Sequence, residues 1–168
     1  MRVDYMPPAM TGLAAGIGMM AAPGRGRPLV EDLDELHHLH GVSLLVSLVS
    51  EHELELLGIQ DLAERATERG IVVLRWPFGD FSVPSDAAAL HAPVDRILDT
   101  AARGRAAVIH CWAGLGRTGL VAAACLVKRG LTPVDAIAAV RRCRPGAIEN
   151  SDQEEAIGDF ARTLGRST

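Results

Sequence analysis

Residues 106–130, AAVIHCWAGLGRTGLVAAACLVKRG, change character twice. Ala106 to Ile109 is a short apolar run of the kind that forms a buried strand. The ten residues that follow, His110 to Gly119, carry three glycines and no regular period. From Leu120 to Arg129 the chain returns to apolar helix formers, and Gly130 stops them. Strand, loop and helix in that order put a loop at the carboxyl end of a strand, where α/β sheets bind their ligands. Backbone N–H groups at a helix start can converge on an anion there, and glycines allow the tight turns such a cradle needs.

Outward from this segment the same alternation repeats. Leu29 to His40 has apolar residues at helical spacing, Leu29, Leu33, Leu36 and Leu39, and ends at Gly41; Val42 to Val49 reads as a strand. Leu54 to Arg69 is helical with a break signal at Gly58, and Ile71 to Leu74 is a second buried strand. The run WPFGDFSVP, Trp76 to Pro84, holds two prolines and a glycine and is a loop. Ser85 is placed to cap a helix to about Arg103. Thr132-Pro133 with Asp135 starts a helix to about Cys143, and Ser151 to Glu154 has capping-box spacing for a helix to about Leu164. Near the start, Thr11 to Ala22 is apolar, interrupted by glycines and shorter than the roughly 20 residues of a membrane span. It reads as a first strand and a loop punctuated by Pro23 and Gly24. The expectation is an α/β fold, a central and mostly parallel sheet flanked by helices. It fills one domain over residues 1–168, with residues 1–10 as an end without order.

Composition narrows the class. The chain has 168 residues and a formal charge of −4, so it lacks the basic footprint of a nucleic-acid binder, and no segment predicts membrane insertion. Three cysteines without Cys-x-x-Cys or zinc-ligand spacing point to free thiols and a reducing, cytoplasmic setting. His37, His38 and His40 point to different sides of their helix and read as a solvated face, not a metal site. Cys125 lies in an apolar helix and reads as core; Cys125 or Cys143 is the candidate to pair with an oxidised Cys111.

The chemistry concentrates in His110-Cys111-Trp112-Ala113-Gly114-Leu115-Gly116-Arg117-Thr118-Gly119. Five residues separate Cys111 from Arg117, enough to wrap once around a tetrahedral anion with sulfur below and guanidinium alongside. Arginine offers a planar fork for two phosphate oxygens. The helix N-terminus and Arg117 both favour a negatively charged sulfur, the nucleophilic form of cysteine. Cys111, Trp112, Ala113, Gly114, Leu115, Gly116 and Arg117 are therefore the phosphate-binding candidates. A nucleotide-binding loop would end in Gly-Lys-Ser/Thr, which this one does not.

HCWAGLGRTG resembles the signature loop of the cysteine-based dual-specificity and tyrosine protein phosphatases, His-Cys-x-x-Gly-x-x-Arg followed by Ser or Thr. The nearest branch in pattern is the kinase-associated, cyclin-dependent kinase inhibitor-like one. The resemblance implies a protein tyrosine phosphatase-like fold and hydrolysis of phosphomonoesters through a phosphocysteine. It implies no cofactor and no metal. Cys111 would attack phosphorus, Arg117 would bind the equatorial oxygens, Thr118 would help the thiolate leave, and His110 would orient the loop. The general acid would be an aspartate about 30 residues earlier in a Pro-x-x-Asp-like setting, which Pro77 to Asp80 supplies; Asp86 is the alternative. RPGAIENSDQ, Arg144 to Gln153, resembles the segment that carries a water-positioning glutamine, which makes Gln153 either that residue or an exposed member of a first turn. Arg141, Arg142 and Arg144 either line the approach or favour a helix end. The implied substrate is a phosphorylated protein or peptide, on phosphotyrosine and extending to phosphoserine or phosphothreonine. The alternatives are a phosphoinositide or inositol-phosphate phosphatase, rhodanese-like sulfur or arsenate chemistry, and a catalytically weak phosphoprotein-binding module.

Overall fold

The computed structural model describes residues 1–165; residues 166–168, the end of the expected domain, lie outside the described residues. In chain order the elements are β1 (Asp4–Met6), α1 (Pro8–Thr11), β2 (Ile17–Ala21), α2 (Leu29–His38), β3 (Val42–Ser47), α3 (Glu51–Leu57), α4 (Leu62–Thr67) and β4 (Val72–Arg75). A 3-10 turn (Ala87–Leu90) leads into α5 (His91–Ala102), β5 (Ala106–Cys111), α6 (Gly116–Lys128), α7 (Pro133–Cys143) and α8 (Ser151–Leu164). The sheet order is β1-β2-β5-β3-β4, with β1 antiparallel to β2 and the other pairs parallel.

Side chains alternate across this sheet with the period of two that pleated strands impose. Leu44, Val46 and Leu48, with Ile17, Met19, Ala107 and Ile109, join one apolar layer under α5, α6, α7 and α8. Leu45, Val49, Met20 and Val108 face the other layer, with Leu33 and Leu36 of α2 and Leu54 and Leu62 of α3 and α4. Every residue of β5 is buried, as a central parallel strand covered on both faces requires. β2 and β3 flank β5, so the loop after Cys111 emerges where the chain order switches direction. Among the described residues no helix is long and apolar enough to cross a membrane.

Several boundaries differ from the sequence reading. Residues 4–6, expected to lack order, pair with β2 in register Asp4 to Met19 through Met6 to Ile17. The helix expected over Leu54 to Arg69 is two, split after Leu57 by Gly58 at φ 67°, a left-handed conformation that favours glycine. The first of them starts earlier, because Ser50 accepts the Glu53 N–H while the Glu53 carboxylate accepts the Ser50 N–H, a complete capping box. Asp86, not Ser85, caps the next turn, through the Ala88 N–H. That leaves Asp86 occupied by its own backbone. Asn150 rather than Ser151 caps α8, since its extended backbone at φ −147° turns its side chain onto the Gln153 N–H.

Thr132 caps α7 as the sequence predicts, accepting from the Asp135 N–H at 3.2 Å. The Asp135 carboxylate takes the Thr132 hydroxyl instead of closing the box on backbone. Thr132→Ala should lower unfolding stability by about 1 kcal/mol, read from the urea midpoint at unchanged slope.

Candidate active site

Cys111 ends β5, and its sulfur accepts the Gly114 N–H at 3.2 Å. The loop after it turns its carbonyls outward, and each one has a donor. Trp112 O accepts from Ala22 N at 3.2 Å and from the Arg25 guanidinium at 3.1 Å. Ala113 O accepts from Arg144 Nη2 at 3.0 Å, and Gly114 O accepts from Arg144 Nε. Leu115 O accepts from Gly119 N at 2.8 Å and Ile148 N at 3.4 Å. In a trans peptide the C=O and the following N–H point to opposite sides. The amides that follow these carbonyls therefore point away from those donors, and the Gly114 N–H among them meets the Cys111 sulfur. Backbone N–H groups at such a turn, with the start of α6, suit a tetrahedral anion.

Sterics require two of the loop glycines. A Cβ on Gly114, at φ 73°, would lie 2.1 Å from Met20 O of the neighbouring strand. One on Gly116 would lie 2.5 Å from the Glu149 carboxylate and 2.8 Å from Gln153 Nε2. The loop is pressed between β2 and the segment leading into α8.

Arg117, in the first turn of α6, is completely buried. Nη1 donates to Leu48 O at 3.1 Å, Phe78 O at 3.0 Å and Glu53 Oε2 at 3.0 Å. Nη2 lies 2.6 Å from Glu53 Oε1 and 3.1 Å from Asp80 Oδ1. Burial disfavours the charge, but the bond to Glu53, with the Cys111, Glu53 and Asp80 charges behind it, more than offsets this and raises the guanidinium's pKa. Burial opposes the Glu53 charge too, yet Arg117 and the Ser50 N–H hold that carboxyl below its ordinary value. Glu53 is a site residue the sequence reading missed. Its sequence signal is the Ser50-x-x-Glu53 capping box, which begins the helix before Leu54.

The other candidates sort by geometry. Asp80 faces Arg117, whereas Asp86 caps its turn; of the two, only Asp80 reaches the loop. His110 is fully buried behind Cys111, with Nδ1 3.3 Å from Cys111 O; burial first, then Arg75 and Arg117, pull its pKa down to about 4. It is a neutral ring near pH 7, not a base. The Thr118 hydroxyl is fully buried without a hydrogen-bond partner among the described residues. Gln153 is not the exposed residue of a first turn. It is buried, its Oε1 accepts the Glu149 N–H at 2.9 Å, and its Nε2 has no partner among the described residues.

Arg141 and Arg142 stand in the last turn of α7, as the helix-end reading has it, and Arg141 and Arg144 have further partners. Arg144 grips two loop carbonyls from outside and pairs with Asp4 of β1 at 2.6 Å, and Arg141 donates to Ala147 O and Ile148 O. Cys125 is fully buried, and burial pushes its thiol pKa up. Trp112 carries the Arg25 guanidinium 5.8 Å from its ring centroid.

A cysteine at a strand end, the loop amides after it and a buried arginine lie together at one end of the sheet. Residues 17–131 match the family model described as a polymorphic toxin system DSP-PTPase phosphatase, so the chain belongs to that family of dual-specificity and tyrosine phosphatases. Human dual specificity protein phosphatase CDC14C is 38% identical over 94 residues, 55% of this chain and 20% of that protein. Rat cyclin-dependent kinase inhibitor 3 is 26% identical over 171 residues, 97% of this chain and 80% of that protein. The chain thus spans one fifth of the first relative and four fifths of the second. A kinase associated phosphatase bearing serine for its catalytic-site cysteine superposes with TM-score 0.90 at 24% identity, covering 99% of this chain and 97% of that one. The active form of Tk-PTP gives 0.75 at 29%, covering 95% and 96%.

Glu53→Gln keeps a side-chain acceptor but removes the charge facing Arg117. It should reduce phosphatase turnover at least tenfold and cost about 2 kcal/mol at pH 7. A lowered folded-state pKa stabilises fully above the unfolded value and ceases to do so as pH falls through the folded one. Below about 4.5, the ordinary glutamate value, the stability difference between wild type and variant should therefore close in urea titrations.

Proposed function

We propose that this phosphatase hydrolyses phosphotyrosine, and by extension phosphoserine and phosphothreonine, in proteins through a phosphocysteine intermediate. The observation that supports the reading is that buried Arg117 is close enough to feel the Cys111 charge and pairs with Asp80, while the Gly114 N–H meets the Cys111 sulfur. In the first step the Cys111 thiolate forms an S–P bond as the P–O bond to the substrate breaks, and Asp80 gives its proton to the departing oxygen. Arg117 and the loop amides hold the three equatorial oxygens, whose charge is greatest in the transition state. In the second step water attacks phosphorus, the S–P bond breaks, and the Asp80 carboxylate takes the proton. The unspent Thr118 hydroxyl donates to the leaving sulfur, and the Gln153 amide orients the water. His110, neutral and behind the cysteine, positions the loop without exchanging protons. The positive field comes from Arg117 and backbone, so neither cofactor nor metal has a part.

A protein substrate is supported by the likeness to dual specificity protein phosphatases. Trp112 and Leu115 stand at variable loop positions where a polyphosphorylated inositol ring would call for cations, although Arg25 lies over the Trp112 ring.

Cys111→Ser should abolish turnover of p-nitrophenyl phosphate while retaining vanadate or phosphopeptide binding by calorimetry. Rapid acid quench of wild type with a radiolabelled phosphopeptide should trap label on the protein, and none on the variant. Turnover by the serine variant would remove the covalent mechanism.

Asp80→Asn should lower kcat by about 10²- to 10⁴-fold for a phosphotyrosine peptide, and far less for an aryl phosphate whose phenol is strongly acidic, since a good leaving group needs no proton. A uniform loss across leaving groups would make Asp80 a structural loop residue.

A further inference from the structure

The loop that carries Asp80 has no regular structure, and two of its carbonyls are held by the rest of the site. On one side of Asp80, Phe78 O accepts from Arg117 Nη1 at 3.0 Å. On the other, Phe81 O accepts from Asn150 Nδ2 at 2.9 Å. Between them Gly79 to Ser82 make a turn in which Gly79 O accepts from the Ser82 N–H at 3.2 Å and from its hydroxyl at 2.8 Å.

The third residue of that turn is Phe81, at φ 56°, a conformation that favours glycine or asparagine. Its side chain is 61% exposed, so packing of the ring does little to hold the backbone there. The external support on that side is the Asn150 amide.

Asn150 has a second task. Its Oδ1 accepts the Gln153 N–H at 2.9 Å and caps α8. Phe81 O can only accept and the Gln153 N–H can only donate, so one orientation of the amide satisfies both. The two bonds leave the side chain by different atoms and can be separated by mutation.

We propose that Asn150 is a positioning residue for the reaction: its Nδ2 latches Phe81 O and holds Asp80 at the loop, while its Oδ1 fixes the turn of α8 that presents Gln153. One side chain then ties the proton donor of the first step to the water-orienting amide of the second. This rests on the reading of Asp80 as general acid.

Asn150→Asp and Asn150→Ser keep a capping oxygen, because aspartate, serine and asparagine cap almost equally well. Aspartate loses the donor outright, and serine, one atom shorter, cannot span to Phe81 O while capping. Both variants should retain the thermal midpoint of wild type to within a few degrees. Their kcat for a phosphotyrosine peptide should fall roughly tenfold, and for 2,4-dinitrophenyl phosphate by much less. In an Asp80→Asn background, Asn150→Ser should cause no further loss with the peptide. Equal losses across leaving groups, or a loss that adds to that of Asp80→Asn, would overturn the latch.

Hydrogen exchange separates the latch from the acid reading. Asn150→Ser should speed amide exchange in residues 79–82 and leave α8 protected, whatever Asp80 does chemically. Unchanged exchange in that turn overturns the latch. Faster exchange together with a uniform leaving-group profile for Asp80→Asn would mean that the latch stands and the acid lies elsewhere.

Discussion

Everything in this site answers to one constraint, a guanidinium with no solvent exposure. An unpaired buried charge costs several kcal/mol, so Arg117 has both terminal nitrogens partnered, while its Nε has no partner among the described residues. It draws a carboxylate from α3, a carbonyl from the end of β3, a carbonyl from the loop after β4 and a second carboxylate from Asp80. Those partners come from widely separated parts of the chain. Pairing the arginine therefore assembles the carboxyl ends of the strands, and the acid loop with them.

The anion cradle is held by the same economy, applied to the backbone. Each of four successive loop carbonyls has a donor, and the amide that follows the second of them meets the Cys111 sulfur. Arg144 supplies two of these bonds and anchors itself on Asp4, which makes the short antiparallel edge strand part of the site's support. A preorganised ring of dipoles needs no rearrangement as charge develops on a transferring phosphoryl group.

Asn150 extends this logic to the irregular segment that carries Asp80. Rigid elements present Cys111, Arg117 and Gln153, whereas Asp80 rides on a four-residue turn with an aromatic residue in a left-handed conformation. Besides the Asp80–Arg117 ion pair and the turn's own bonds, its support from outside is two hydrogen bonds to carbonyls, one on each side.

The local chemistry was legible in the chain itself. An apolar run, a glycine-bearing turn and a helix announce a strand-end anion loop, because backbone geometry within twenty residues decides it. Cys111 and Arg117 were candidates from that, whereas Asp80 was named only through the resemblance to the phosphatases; the mostly parallel sheet followed because alternating apolar runs and helical periods leave few other packings. What the sequence could not determine were contacts between distant residues. Glu53 carries no mark of a site residue in its own stretch of sequence, and only the approach of α3 to α6 makes it the partner of a buried arginine. Gln153 could be read as exposed or buried until Gly116 and Glu149 closed over it. Arg144 and Asp4 lie 140 residues apart and meet through the edge strand. Asn150 and Ser151 are both good caps, and the backbone angle at 150 selected between them. Helix and strand follow from short-range periodicity, but the pairing of buried charges and carbonyls follows from how the layers stack, which is decided only when the whole core is packed.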